Sequence, residues 1–184
     1  MKILLASGSP RRQSLLKNYG FDVTVVKPVF DEDTVTETDP EKLVTALADG
    51  KMNSIETNGA LSLSADTVVA IGGRILGKPR NEKEAFEMLS MLSGNTHTVY
   101  TGVCITYKGK KRLFCDRSDV TFYPLTDYQI NEYVKTGSPM DKAGSYGVQD
   151  EMGIAFVKSI EGEISNVIGL PMGRVITETE RITK

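Results

Sequence analysis

Two serines, a proline and two arginines follow one another at residues 7–12 (SGSPRR), directly after an apolar run at residues 3–6. Pro10 suits the first turn of a helix and Ser9 suits its N-cap, so a buried strand is predicted to lead into a helix start. Arg11 and Arg12 would add two cations where the helix dipole favours anions. A phosphate-like anion bound there removes this conflict. The alternative interpretation is an ordinary strand–helix connection with two solvated arginines. At a phosphate site too, we expect both arginines to contribute little to stability, because cations at a helix start oppose the dipole.

Two carboxylates could take part in acid–base or metal chemistry. Asp66 interrupts the apolar strand pattern of residues 61–71, and burying its charge is costly unless a cation or hydrogen-bond donors compensate. A divalent metal, or a water molecule to be deprotonated, would fit this position, and so would a hydrogen-bonded aspartate on a half-exposed strand. Glu32 lies in the acidic, loop-like stretch 28–39, where a solvated charge run is the alternative.

Three further polar residues could bind a ligand. Lys78 stands in a rigid turn before Pro79, although a surface lysine fits equally well. Gln149 offers an amide donor and acceptor side by side, which suits a nucleobase edge but is uninformative alone. His97, the only histidine, lies in a polar run at a strand start, so a structural role is favoured over a catalytic one.

Composition limits the classes of protein. With 184 residues, 40% of them hydrophobic, we expect one domain over residues 1–184, in two lobes around a cleft. The net charge of −2 gives no basic field for stable nucleic-acid binding. No segment is apolar enough to span a membrane, and residues 1–6 are too short for a signal peptide, so we expect a cytoplasmic protein. Cys104 and Cys115 would face each other if residues 109–110 form a hairpin turn, but we interpret them as core thiols.

The elements that must position these residues alternate between strand and helix. Strands are predicted at residues 3–6, 21–26, 61–71, 96–107, 111–123, 155–160 and 163–168. Helices are predicted from residue 10, at 40–58 with a weak point at Gly50, at 82–92, at 127–135 with Thr126 as a candidate cap, and from residue 171. Alternation with one hairpin predicts an α/β fold with a mixed sheet and flanking helices.

Six ordered segments resemble the Maf family of nucleoside triphosphate pyrophosphatases over essentially the full chain. They are residues 6–12 (ASGSPRR), 65–69 (ADTVV), 76–79 (LGKP), 92–94 (LSG), 141–149 (DKAGSYGVQ) and 169–171 (GLP). The resemblance implies a Maf/ITPase-like fold with a mixed twisted sheet and a central substrate cleft. Two departures stand out: Ser64 replaces the glycine usual before the ADTVV segment, which predicts crowding near the site, and Asn81 replaces a common acid.

The resemblance also implies the reaction and the roles of the residues. The α–β phosphoanhydride of a nucleoside triphosphate would be hydrolysed to the monophosphate and pyrophosphate with a divalent cation, Mg²⁺ or Mn²⁺. Asp66 would be the catalytic base, and Glu32 and Asp66 would be the metal ligands. Substrate specificity would depend on Arg11, Thr67 and Gln149. Phosphate binding would involve Ser7, Ser9, Arg12, Lys51 and Lys78.

The Arg11-Arg12 doublet together with Thr67 and Gln149 resembles the group of the family that prefers dTTP and UTP. Two alternatives stay open: a 7-methyl-GTP pyrophosphatase, and a non-catalytic nucleotide-binding regulator of septum formation. Two candidate carboxylates weigh against a pure binding protein. A P-loop kinase or GTPase is excluded because GxxxxGK followed by Ser or Thr is absent. The expected partners are the nucleoside triphosphate and a second copy of the chain in a homodimer.

Overall fold

The computed structural model describes residues 1–184 as one mixed sheet with helices. The strands are β1 (Lys2–Ala6), β2 (Asp22–Val25), β3 (Ser62–Ile71), β4 (Arg74–Leu76), β5 (Thr96–Tyr107), β6 (Lys110–Phe122) and β7 (Val157–Glu161). The helices are α1 (Pro10–Asn18), α2 (Pro40–Asn53), α3 (Glu82–Leu92), α4 (Asp127–Lys135), α5 (Glu151–Phe156), α6 (Ile164–Ile168) and α7 (Met172–Thr183). Short 3₁₀ turns occur at Glu32–Thr34, Ser138–Asp141 and Ala143–Ser145.

The strand order is β2-β1-β3-β5-β6-β7, with β4 paired to β3. Strand β1 is parallel to both β2 and β3, whereas the β3–β4 and β6–β7 pairs are antiparallel. The prediction of an α/β fold with a mixed sheet is therefore confirmed. None of the helices combines the length and the apolar composition that a membrane span requires.

The chain divides into two compact units, each with its own apolar core. The first unit comprises residues 1–67, 101–116 and 169–184, and the second comprises residues 68–100 and 117–168. The core of the first unit includes Leu5, Leu16 and Leu63, and that of the second includes Leu89 and Phe122. The cleft that the family resemblance implies stays a prediction.

Several predicted boundaries are confirmed by local hydrogen bonds. Ser9 and Pro10 begin α1 as predicted. Helix α4 has the predicted bounds, and Thr126 forms a full capping box with Gln129. Asn81, one of the two departures from the family pattern, caps α3 by accepting a hydrogen bond from the Glu84 amide at 2.9 Å.

Two element predictions are wrong. Residues 164–168 form α6 and not a strand, because the segment buries Ser165 and Asn166, and the Asn166 amide donates to the Val99 carbonyl at 3.1 Å. The predicted strand at residues 155–160 begins only at Val157, since α5 extends to Phe156.

Two boundaries shift. Helix α2 ends at Asn53 and not at residue 58, because the Ser54 hydroxyl bonds to the Lys51 carbonyl and caps the last turn. The hairpin turn lies at Lys108-Gly109, both with positive φ, one residue before the predicted position. The condition that would set the two cysteines face to face is therefore not met, and both are free thiols.

Candidate active site

Arg12 projects from the first turn of α1 and is only 9% exposed. Its Nε donates to the Gly169 carbonyl at 2.8 Å, one terminal nitrogen donates to Ser7 Oγ at 3.0 Å, and the other donates to Thr67 Oγ1 at 2.9 Å. The interpretation as a solvated arginine is wrong for this residue. Arg12 instead joins β1, β3 and the segment before α7 within the first unit.

The environment of Arg12 also corrects the expectation about stability. Burial lowers the pKa of its guanidinium, and the negative charge of Asp66 opposes that shift. The three hydrogen bonds of this buried cation stabilise the fold, and they outweigh the unfavourable interaction of the cation with the helix dipole. Arg11, the next residue back, is half-buried.

Lys51 lies between the two predicted metal ligands. Its Nζ is 2.5 Å from Asp66 Oδ1 and 3.0 Å from Glu32 Oε1, and the lysine is only 8% exposed. The ammonium offsets the repulsion between two carboxylates that approach the same point. The three residues lie together in the first unit, and Lys51 is therefore an ion-pair partner of both acids in addition to its predicted phosphate role.

Helix α2 carries Lys51 to this point because small residues allow close packing. A Cβ at Gly50 would lie 2.3 Å from the Phe30 ring, so the glycine lets that ring rest on the helix just before the 3₁₀ turn that contains Glu32. A Cβ at Gly102 would lie 2.2 Å from the Val44 carbonyl oxygen, so β5 and α2 meet backbone to backbone. The weak point predicted at Gly50 is thus a packing site.

Ser64 strengthens this arrangement. Its buried hydroxyl donates to the Ala48 carbonyl of α2 at 2.6 Å. The predicted crowding from the serine is wrong, because the side chain fits between strand and helix and bonds there. It holds α2 against β3 two residues before Asp66.

Thr101 is a site neighbour that the sequence analysis missed. Its hydroxyl is fully buried and lies 3.0 Å from Thr67 Oγ1, which also accepts from Arg12. Thr67 therefore has two fixed partners. A threonine within an apolar strand carries no sequence signal for such a role, because threonine is common in strands.

Lys78 and Gln149 belong to the second unit, where Lys78 is exposed and forms no ion pair. Gln149 is exposed too, and its amide makes no hydrogen bond. Their two segments meet where the Gly144 amide donates to the Gly77 carbonyl at 3.1 Å. The side chains predicted to contact substrate from this unit are thus free to bind one.

His97 is buried in the second unit, and its Nε2 lies 2.7 Å from the Tyr146 hydroxyl. Its ring packs edge-to-face on Phe122 at 5.0 Å. Burial lowers the pKa of His97 to about 4, with Asp119 opposing the shift. These contacts agree with the structural role favoured from the sequence.

The donor set of Glu32 and Asp66 fits a hard divalent cation. Each carboxylate has one oxygen on Lys51 Nζ and a second oxygen that a cation could use, and Mg²⁺ is commonly held by one or two carboxylates with substrate phosphates completing its shell. No group of three or more His, Cys, Asp or Glu side chains could hold a metal. A cation here would therefore depend on oxygens from the substrate.

The fold and these residues define an α/β protein whose first unit combines a helix-start arginine with a carboxylate–lysine cluster. The chain belongs to the Maf family, since the model of the Maf-like protein family matches residues 2–182. The chain is 44% identical over 182 residues to proteins named dTTP/UTP pyrophosphatase from Bacillus cereus (strain AH820) and Bacillus thuringiensis subsp. konkukian (strain 97-27). In both comparisons the match covers 98% of this chain and 95% of the relative.

Solved structures of distant proteins share the fold. A HAM1 protein from Coxiella burnetii has a TM-score of 0.50 at 12% identity, covering 97% of this chain and 99% of that one. The Ham1 protein of Staphylococcus aureus has a TM-score of 0.51 at 14% identity, covering 98% and 100%. The Maf/ITPase-like fold predicted from the sequence is confirmed.

Proposed function

We propose that this protein hydrolyses dTTP and UTP to the nucleoside monophosphate and pyrophosphate. The observation that carries the proposal is the cluster of Lys51 with Asp66 and Glu32, in a chain 44% identical to dTTP/UTP pyrophosphatases over nearly its full length. A protein that only bound nucleotides would gain nothing from two acids gathered beside a phosphate site, because carboxylates repel phosphates. Hydrolysis gives them a use.

The phosphates would lie at the start of α1. A guanidinium has five N–H donors, and Arg12 commits three of them within the protein, which leaves two for phosphate oxygens. Arg11, Ser7, Ser9 and the backbone amides of the helix start would add further donors. Lys78, which is exposed, stays a predicted phosphate ligand.

Asp66 would remove a proton from the attacking water. Lys51 fixes the orientation of the Asp66 carboxylate through the 2.5 Å contact to Oδ1, so the other oxygen can accept that proton. Water attack on the α-phosphorus would break the α–β anhydride, and pyrophosphate would leave with its negative charge bound by the arginines.

Nucleotide pyrophosphatases of this kind generally need a divalent metal. Glu32 and Asp66 would hold Mg²⁺ or Mn²⁺ with substrate phosphates, and the bound ion would supply positive charge against the phosphate oxygens. A chelator should abolish turnover, and excess Mg²⁺ or Mn²⁺ should restore it. Full activity in the chelator would contradict the metal assignment.

A nucleotide panel with products separated by chromatography tests the reaction. With dTTP or UTP we expect monophosphate and pyrophosphate in equal amounts, whereas diphosphate and inorganic phosphate would overturn the proposal. Including 7-methyl-GTP in the panel tests the alternative substrate. Binding of every nucleotide without turnover would instead support the regulator.

A further inference from the structure

A buried polar cluster lies beneath the segment that carries Gln149. We call Tyr133, Ser138, Lys142 and Asp150 the Asp150 cluster. Its centre is Asp150 Oδ2, which accepts from the Tyr133 hydroxyl at 2.6 Å and from Ser138 Oγ at 2.7 Å, with Lys142 Nζ at 3.3 Å. Lys142 is only 8% exposed. None of these side chains has a part in the hydrolysis proposed above.

The Tyr133 hydroxyl binds both ends of a single turn. It accepts from the Gly147 amide at 3.2 Å while it donates to the Asp150 carboxylate. The turn between these two residues is closed by the Asp150 amide, which donates to the Gly147 carbonyl at 3.1 Å. Val148 is buried within the turn and Gln149 is exposed on it. One hydroxyl of α4 therefore fixes the backbone on both sides of Gln149.

The path of the Gln149 side chain depends on the missing side chain at Gly147. A Cβ at Gly147 would lie 2.6 Å from Gln149 Nε2 and 2.7 Å from Lys142 Cε. The amide thus folds back across the glycine, beside the Lys142 stem. With no hydrogen bond of its own, its orientation follows from this packing and from the fixed turn.

We propose that Tyr133 and Asp150 are positioning residues for base selection, which hold the Gly147–Asp150 turn so that Gln149 presents its amide to the pyrimidine in one orientation. This inference rests on the proposed function and concerns how its substrates are distinguished. A freely rotating amide could match uracil or cytosine, since its donor and acceptor exchange places on rotation. The fixed turn, together with the packing of the amide across Gly147, limits that rotation.

Tyr133→Phe tests the role of the hydroxyl. The ring contact to Phe156 at 5.3 Å is kept, so the fold should survive. We expect KM for UTP to rise and the preference for UTP over CTP to narrow by about tenfold, with kcat within about twofold. Inhibition by tripolyphosphate, which has no base, should be unchanged. Tyr128→Phe is the matched control, because Tyr128 lies on the same helix and is 73% exposed.

Gly147→Ala tests the path of Gln149 without touching the cluster's hydroxyls. The backbone tolerates alanine there, and the atoms in its way are the Gln149 amide and the Lys142 stem rather than backbone, so we expect a folded protein with a displaced amide. Gly147→Ala alone should lower the ratio of kcat/KM for UTP to that for CTP below the wild-type ratio. Added to Gln149→Ala, it should not lower this ratio further, because no amide is left to displace.

The inference is overturned if Tyr133→Phe leaves the UTP over CTP preference intact, or if it weakens tripolyphosphate and all nucleotides equally. Additive losses in the Gly147→Ala, Gln149→Ala pair would overturn it too. Binding of an α,β-methylene UTP analogue separates the two proposals. If wild type binds the analogue without hydrolysing UTP, the proposed function fails while the analogue's affinity still tests the variants. If it neither binds nor hydrolyses, both fail.

Discussion

The two units hold their candidate site residues in opposite ways. In the first unit, Arg12, Lys51 and Asp66 are buried or half-buried and bind other site residues directly. In the second unit, Lys78 and Gln149 are exposed and unbonded, and buried residues beneath them fix only the backbone. A change at one of these three residues of the first unit should therefore affect both turnover and stability, whereas a change at Lys78 or Gln149 should affect substrate use alone.

The cause of this difference is the cost of burying charge. Buried ions need partners, and the loss of one partner leaves the other uncompensated. The groups of the first unit that would act on the phosphates are charged and partly buried, so they are also structural. A base-reading amide is neutral and exposed, so it can be free until substrate binds, provided that the backbone beneath it is fixed.

Asp66→Asn should have the largest effect on rate. Asparagine keeps the shape and a contact for Lys51, but it cannot accept a proton and is a weaker metal ligand. We expect kcat for UTP, measured by pyrophosphate release, to fall by about 10²–10⁴-fold. The matched control is Asp49→Asn. Asp49 lies on α2, and its carboxylate pairs with Lys111 Nζ at 2.6 Å and takes no part in the site. A folded Asp66→Asn protein with near-full rate would remove Asp66 from the mechanism.

Arg12→Ala should lower turnover and stability together. The buried Gly169 carbonyl loses its fixed donor, which costs about 1–3 kcal/mol, and the phosphates lose a guanidinium. Thermal unfolding should shift down by several degrees, and kcat/KM should fall. For Arg11→Ala we expect weaker use of triphosphates with little change in the melting temperature. Equal melting temperatures for wild type and Arg12→Ala would contradict the comparison between the units.

Much of the fold follows from local sequence signals. Helices α3 and α4 have the predicted bounds because a cap and a clear apolar face define each one. The error at α6 arises where tertiary contacts decide: Asn166 is buried there and donates to the Val99 carbonyl at 3.1 Å. No local pattern shows that an asparagine will find such a partner.

The types of residue in the site could be predicted from the sequence, but which of them form ion pairs with one another could not. Asp66 is conspicuous because a carboxylate interrupts an apolar strand, and its partner could be expected as a cation. That the cation is Lys51, brought there by Gly50 and Phe30, depends on how α2 packs on the sheet. Tyr133 carries no signal at all, since a tyrosine on the apolar face of a helix is typical of a core residue.

His97→Gln should change stability and not rate. In the folded protein the pKa of His97 is about 4, below the 6.5 of an unfolded histidine, so protons favour the unfolded chain. The contribution of the neutral ring to the free energy of unfolding is fully present above pH 6.5. It is lost as the pH falls toward 4, and the total loss is about 3 kcal/mol. His97 is the only histidine, so urea unfolding of wild type and variant between pH 4 and 8 isolates it. Parallel curves for the two proteins over that range would contradict the assignment.

Gln149→Glu should have an effect confined to substrate use. The variant loses the amide donor, so kcat/KM for UTP and dTTP should each fall by roughly 10–100-fold, the scale of one or two lost hydrogen bonds. Inhibition by pyrophosphate and the melting temperature should stay near wild type, because the phosphates are bound elsewhere and Gln149 has no partner in the fold. Asn131→Asp, an exposed change of the same charge on α4, controls for the added negative charge.

UTP and dTTP should be affected alike, since a C5 methyl is worth only about 1–3 kcal/mol in an apolar pocket. An equal loss for pyrophosphate would instead assign Gln149 to loop support, and the two units would then hold their site residues in the same way.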